Sequence, residues 1–372
     1  MNTDFDDGEG LICLVGTGRN GSTLLTRVLD GAPEVDVLPI ECAFLSALND
    51  LAEFGFISSN VLLNASNKPL IGLDQEIAVE KILLYIDRCL KWLKQQAELV
   101  GIEDKTYLIR ENLLSCSHYS VDELIVRFLV LFRQVFFVEN SRKLTLIRTV
   151  ETPYIADYIR LFPRMKFIHL VRNPVNVWRS NAGACKIKKQ PQWYMGGDNL
   201  RTVIDIRWLS HAKAILSYES DSNHFVIRYE DLADNPEKEL TLLTNWLGIN
   251  DLDFPAAQTI FGGKPIIKQE RSSSYESVPF DREVRPDTST LSMEKDVKSE
   301  REKDFILYRA HELARALGYF ENVIKPSAFG VAKKWLTIKG NEFFGGPGDK
   351  FYIKSFKSIL DRRKYIFKAL ME

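Results

Sequence analysis

The sequence predicts an α/β fold, a three-layer arrangement with a central, mostly parallel sheet flanked by helices. Three observations carry this expectation. First, Leu11-Ile12-Cys13-Leu14-Val15 and Phe167-Ile168-His169-Leu170-Val171 are short continuous apolar runs, the pattern of strands buried on both faces. Second, further strand candidates at Val35–Leu38, Leu144–Ile147 and Phe225–Tyr229 are separated by stretches of helical apolar spacing. Third, the first run enters the turn Gly16-Thr17-Gly18-Arg19-Asn20-Gly21-Ser22-Thr23. Leu24, Leu25, Val28 and Leu29 then follow at helical spacing. Strand, glycine turn and helix in that order make a βα unit whose turn can hold an anion.

The helical stretches are legible in turn. Ile82, Leu83, Ile86, Leu90 and Leu93 make one apolar stripe, and Leu124, Phe128, Leu131 and Phe132 another. A helix is expected through Tyr154–Leu161, and another from about Ser299 to Leu317, stopped by Gly318. Residues 262–304 are polar, and most of them read as a long loop.

With 372 residues, 45% of them hydrophobic and 27% charged, the chain is long enough for one large domain, expected over residues 8–325. The net charge of −1 gives no global reason to expect nucleic acid as a partner. The acidic N-terminal residues lack the pattern of a secretory signal, and no apolar run is long enough to span a bilayer. The five cysteines show neither CxxC pairing nor metal-ligand spacing, which suggests a reducing, cytoplasmic setting and no metal; Cys13, inside an apolar run, reads as a buried thiol.

Residues 331–372 form a separate basic extension with ten Lys or Arg against four Asp or Glu. Ile353, Phe356, Leu360, Phe367 and Leu370 fall at helical spacing among its basic residues. Such a helix suits peripheral contact with an anionic membrane, docking on the domain, or self-association.

Gly16-x-Gly18-x-x-Gly21 also satisfies the dinucleotide fingerprint, and Asp36 and Glu41 lie near the distance of a ribose-binding acid, so an NAD(P)-dependent oxidoreductase is one reading. It is not the nucleoside-triphosphatase pattern, because no Lys precedes Ser22-Thr23. Arg19 adds bidentate donors that a dinucleotide turn does not need. A second motif lies at the end of the Phe167–Val171 strand: Arg172, then Asn173-Pro174 suited to a helix start, then Ser180 on the following helix. Two anion sites at strand carboxyl ends suit a nucleotide phosphorylated at both 3′ and 5′ positions.

Thr17-Gly18-Arg19-Asn20-Gly21-Ser22-Thr23-Leu24-Leu25 resembles the 5′-phosphosulfate loop of sulfotransferases that use 3′-phosphoadenosine 5′-phosphosulfate (PAPS). Arg172-x-Pro174-x-x-x-x-x-Ser180 resembles their 3′-phosphate motif. Arg228-Tyr229-Glu230-Asp231-Leu232, Asn235-Pro236 and Trp246-Leu247-Gly248 resemble their later strand-and-helix block. The resemblance spans roughly Leu11–Phe320 and is nearest the bacterial branch allied with carbohydrate and tyrosylprotein sulfotransferases.

It implies a P-loop-NTPase-like three-layer fold and transfer of a sulfuryl group from PAPS, without metal, to a hydroxyl or amine of a small-molecule or glycan-like acceptor. It also implies that Gly18, Arg19, Asn20, Gly21, Ser22 and Thr23 bind the 5′-phosphosulfate, that Arg172 and Ser180 bind the 3′-phosphate, and that Tyr229 touches the adenine. Lys268, Arg271 and Ser272 resemble a late nucleotide-binding loop. Arg19 is expected to neutralise the leaving phosphate.

Glu41, near a Glu that faces the acceptor in relatives, is the expected base, with His118 as the alternative; His169, within a strand, reads as core. Where relatives place a Lys that assists the leaving group, this chain carries Glu151, so Arg148 is the candidate substitute. That departure keeps a catalytically weak or inactive nucleotide-binding homologue as a competing expectation. Trp193-Tyr194-Met195-Gly196-Gly197 reads as an aromatic loop that could cover an acceptor.

Overall fold

A computed structural model of the chain describes residues 6–54, 76–137, 144–187, 200–250, 252, 259–267, 300–336, 366, 368 and 370–371. Lys268, Arg271, Ser272, the loop Trp193–Gly197 and most of the basic extension lie outside the described residues.

The main sheet has five strands: β1 (Leu11–Val15), β2 (Val35–Cys42), β5 (Leu144–Thr149), β6 (Lys166–Val171) and β7 (His224–Arg228), in the order β2-β5-β1-β6-β7. Every pairing within it is parallel, so all five carboxyl ends lie on one edge. The chain therefore has the expected α/β fold. β1 is central, between β5 and β6, and the turn that follows it is flanked by the ends of both neighbours.

The apolar run in β1 divides by parity, as a strand buried on both faces must. Leu11, Cys13 and Val15 join a core built from α2 (Phe44–Phe54), α3 (Val79–Leu99), α4 (Thr106–Leu114), α5 (Val121–Phe136) and α6 (Ile155–Leu161). Ile12 and Leu14 pack on the other face with α1 (Ser22–Leu29), α9 (Tyr229–Asp234) and α10 (Pro236–Leu247). A third cluster joins α7 (Pro174–Ile187), a π-helical stretch Arg201–Trp208 leading into α8 (Leu209–Ser217), α11 (Glu300–Ala316) and α12 (Ala328–Leu336). Ile366, near the chain's end, is fully buried in that third cluster and Leu370 packs against it, so these residues of the extension dock on the domain. Among the described residues no helix is long and apolar enough to cross a membrane.

Two short ribbons lie outside the main sheet, β3 (Ile77–Ala78) with β4 (His118–Tyr119) and β8 (Thr259–Ile260) with β9 (Lys264–Pro265). The second ribbon lies at the start of the stretch read mostly as loop: Gly262 and Gly263 turn a tight hairpin whose backbone N–H groups donate to the Asp30 carboxylate at the end of α1.

The second strand also runs further than its apolar pattern suggested, to Cys42, with a register shift between Val37 and Glu41. Pro39 lies in that interval, and an edge strand with an irregularity tolerates a missing N–H. Glu41 is thus a strand residue paired with Arg148 of β5 rather than a loop acid.

His169 is core as expected, at 0% exposure. Its ring nitrogens lie 3.2 Å from His211 and 2.7 Å from His224. Burial holds His169 well below the usual histidine range and pushes His211 down to about 3, so the chain of rings is neutral at physiological pH. The Cys13, Cys42 and Cys89 thiols are free and buried.

Candidate active site

The turn after β1 is held in left-handed backbone: Gly18 has φ 74°, Arg19 φ 59° and Gly21 φ 95°. A non-glycine residue in that region is strained, and such strain persists only where surroundings impose it. Here the Arg19 carbonyl accepts from Nη1 of Arg172 at 3.0 Å, and Arg19 Nε donates to Oγ of Ser180 at 3.3 Å. The two motifs, separated by some 150 residues in the chain, are therefore in direct contact.

Asn20 braces the turn from beneath: Nδ2 donates to the Leu170 carbonyl at 2.5 Å, and Oδ1 accepts from the Ser22 backbone at 3.3 Å. At 0% exposure, the Asn20 side chain does this from a fully buried position. The N-cap of α1 is Gly21, with no side-chain capping bond from that residue; Ser22 and Thr23 are already helical.

Gly21 is glycine for a second reason. A Cβ there would stand 2.4 Å from Cδ2 of Tyr229. Tyr229 is 5% exposed, and its ring lies between Gly21 and the guanidinium of Arg172, whose Cζ is 4.3 Å from the ring centroid. This cation–π contact aims Arg172. Gly21→Ala should therefore displace Tyr229 and Arg172 together. The expected outcome is a loss of about 1–3 kcal/mol in stability, read as a lower Tm, with weaker binding of anionic nucleotides.

Arg172 is 6% exposed and its own carbonyl accepts from Trp208 Nε1 at 2.8 Å. The backbone beyond it is fixed by Glu230, whose Oε1 accepts from Asn173 N at 3.0 Å while Oε2 accepts from the Tyr319 hydroxyl at 3.0 Å. Arg148, on β5, reaches α1: its Nη1 donates to Thr23 Oγ1 at 2.7 Å. Nε of Arg148 and Nε of Arg172 are both buried without a hydrogen-bond partner among the described residues. Buried cationic donors left unmatched are costly, and an anion supplies the match.

Glu151 is not at the site. It is 1% exposed and turned into the core, where its carboxylate accepts from the Ser46 backbone, from the Tyr158 hydroxyl at 2.5 Å and from Thr149 Oγ1 at 3.3 Å. Ser46 lies in the first turn of α2, so the acid sits at a helix N-terminus. The comparison with a leaving-group lysine therefore does not hold for its side chain, and Arg148 is the cation that β5 presents.

Burial raises Glu151 to about 7, against the hydrogen bonds that favour its charged form. Because the folded pKa exceeds the unfolded one, the folded state binds the proton more tightly. The stabilisation is full below about 4.5 and is lost as pH rises to about 7. The loss is about 3 kcal/mol. Glu151→Gln should lack it, so the Tm difference between wild type and variant should close or reverse between pH 5 and 8.

His118 is exposed, on the β3–β4 ribbon away from the main sheet, with Ser117 as its neighbour. One residue that sequence reasoning missed is Arg207, in the π-helical stretch. Its Nη1 lies 3.7 Å from where a Cβ on Gly18 would stand, and the Glu41 charge acts on it. It belongs to no motif, and only the fold brings it to the turn. No cluster of three or more His, Cys, Asp or Glu suited to a metal ion occurs among the described residues.

Residues 12–253 match the sequence model of a family described as the Sulfotransferase family. The chain belongs to that family. Solved structures similar to this sulfotransferase include the sulfotransferase domain of the Synechococcus PCC 7002 olefin synthase, 18% identical over 65% of this chain and 74% of that one, TM-score 0.39. The sulfotransferase domain from the curacin biosynthetic pathway is 18% identical over 83% of this chain and 98% of that one, TM-score 0.44. A sulfotransferase from Alicyclobacillus acidocaldarius is 14% identical over 65% and 83%, TM-score 0.39. No curated protein sequence matches the chain.

Proposed function

We propose that this sulfotransferase takes its sulfuryl group from PAPS and passes it to a hydroxyl or amine of a small or carbohydrate-like acceptor. One observation carries the donor half: guanidinium groups from the ends of β1, β5 and β6 gather at a single glycine turn, and two of them hold buried N–H groups without partners among the described residues. A nucleotide with both a 5′-phosphosulfate and a 3′-phosphate supplies enough negative charge, in two places, to satisfy them.

In this reading the glycine turn and the first turn of α1 hold the phosphosulfate, with Ser22 and Thr23 as hydroxyl donors. Arg172 and Ser180 hold the 3′-phosphate. Glu41 takes the acceptor proton as the acceptor oxygen or nitrogen bonds to sulfur. The bond from sulfur to the 5′-phosphate oxygen breaks with its electron pair, and Arg19 and Arg148 meet the charge that develops there. The products are the sulfated acceptor and 3′-phosphoadenosine 5′-phosphate (PAP). Binding both substrates in line is the remaining contribution.

The test is a thermal shift with PAP, 5′-AMP, NAD and NADP, followed by transfer of labelled sulfate from PAPS across a panel of hydroxyl and amine acceptors. A larger shift with PAP than with 5′-AMP is expected. Stabilisation by NAD or NADP alone would overturn the reading.

A further inference from the structure

Three consecutive residues at the end of β7 reach toward the Arg172 motif or its supports. Tyr229 lies beneath the Arg172 guanidinium. Arg228 pairs in register with Val171, and its Cζ stands 4.5 Å from the ring centroid of Tyr319. Glu230, in the first turn of α9, accepts from the Asn173 backbone N–H through Oε1 and from the Tyr319 hydroxyl through Oε2, each at 3.0 Å.

The Asn173 N–H and the Arg172 carbonyl belong to one peptide unit. That carbonyl accepts from Nε1 of the fully buried Trp208 at 2.8 Å. Trp208 therefore holds one side of the peptide plane and Glu230 the other. A peptide unit is rigid and turns only about the bonds that flank it. Holding both of its polar groups fixes the direction in which Arg172 leaves the backbone and the direction in which α7 begins. Asn173 caps that start: its Oδ1 accepts from Val175 N at 3.0 Å, its carbonyl accepts from Val177 N at 2.9 Å, and Pro174 has no N–H to satisfy. Ser180 rides on α7, so its place beside Arg19 depends on the same peptide.

Glu230 is in turn held by a residue 89 positions further along the chain. Tyr319 is 4% exposed and lies in the turn that ends α11, where its N–H donates to the Ala314 carbonyl at 2.8 Å. This turn comes close to β7. Gly318 has φ 76°, and a Cβ there would stand 3.0 Å from Nη1 of Arg228. Phe320 follows at φ 56°, a left-handed conformation that a bulky residue keeps only where its surroundings impose it.

We propose that Glu230 is a positioning residue for 3′-phosphate recognition and that Tyr319 holds it in place. The segment after α11 then sets how well the enzyme tells a 3′-phosphorylated nucleotide from one without that phosphate. This rests on the reading of Arg172 and Ser180 as the 3′-phosphate site. Without Glu230 the Asn173 N–H loses its acceptor, the peptide is free to turn, and Arg172 and Ser180 no longer converge. The glycine turn is braced separately, by Asn20 on the Leu170 carbonyl.

The experiment measures Kd for PAP and for 5′-AMP by titration calorimetry, with Tm, for wild type, Glu230→Ala, Glu230→Gln and Tyr319→Phe. The preference for PAP over 5′-AMP should fall ~10-fold in Glu230→Ala, the size of one charge-assisted hydrogen bond, while 5′-AMP binds nearly as to wild type. Tyr319→Phe should lose about 3-fold of the preference, because the Asn173 bond survives without its support. Glu230→Gln should keep it, since the amide oxygen can still accept from Asn173. An Ala variant with the wild-type preference overturns the inference, and so does one that loses PAP and 5′-AMP by the same factor, which is a structural role only. A Gln variant as poor as Ala also overturns it. If the Ala variant does not fold, Tyr319→Phe decides, and an unchanged preference there overturns the inference. A wild type that does not prefer PAP over 5′-AMP would instead remove the proposed donor on which the inference rests.

Discussion

Glu41→Gln is expected to reduce kcat by ~10²–10⁴-fold, the range in which a positioned base contributes. The nucleotide end of the site should be untouched, because Glu41 lies at the end of the edge strand β2 while the two phosphate motifs lie beyond β1 and β6. The Kd for PAP should therefore match that of wild type while turnover collapses. The amide keeps the size and shape of the acid, so a loss of rate without a loss of Tm assigns the effect to the proton. Equal rates for Gln and Glu would show that the acceptor proton leaves by another route.

Arg172→Ala is the second large effect, and it falls on binding. The side chain stacks on Tyr229, donates to the Arg19 carbonyl and holds a buried Nε without a partner among the described residues. Its removal costs a charge-assisted contact to the nucleotide and also releases the strained Arg19 backbone. The expected loss in PAP affinity is about 10²-fold, or ~2–3 kcal/mol. The discriminating readout is the preference of wild type for PAP over 5′-AMP, which should largely vanish in the variant. Arg172→Lys should recover only part of it, because an ammonium cannot donate as a planar fork. A variant that keeps the preference would locate 3′-phosphate recognition elsewhere.

The parts of the site that were legible in the sequence are contiguous. A five-residue apolar strand, a turn with glycines where φ is positive, and a helix with Leu24, Leu25 and Val28 inward can be read from one short window. The same holds for Arg172 through Ser180, where strand, Asn-Pro junction and helix follow one another. The parallel sheet then does the rest, because strands that all point one way bring these windows to one edge.

Other features were not legible. Position alone put Glu151 where a catalytic cation stands in relatives, but past the end of β5 the direction of a side chain is set by the turn and not by the sequence position. Glu151 points into the core, where Ser46, Tyr158 and Thr149 satisfy it. Asn20 and Tyr229 lie within motifs, but what their side chains touch inside the protein is not written there. Their burial, and their bonds to Leu170 and Arg172, depend on where β6 and β7 lie relative to β1.

By itself the sequence determined the strand-turn-helix units, the two arginine motifs, and through them the family, since each depends on residues close together in the chain. Only the tertiary structure decided which side chains reach the turn. It joined Arg19 to Ser180 and Arg172, turned Glu151 away, paired Glu41 with Arg148, and brought Arg207 in from a helix with no motif of its own. The physical reason is that these contacts span large separations along the chain, and their geometry is set by strand order, register and one widened helical turn.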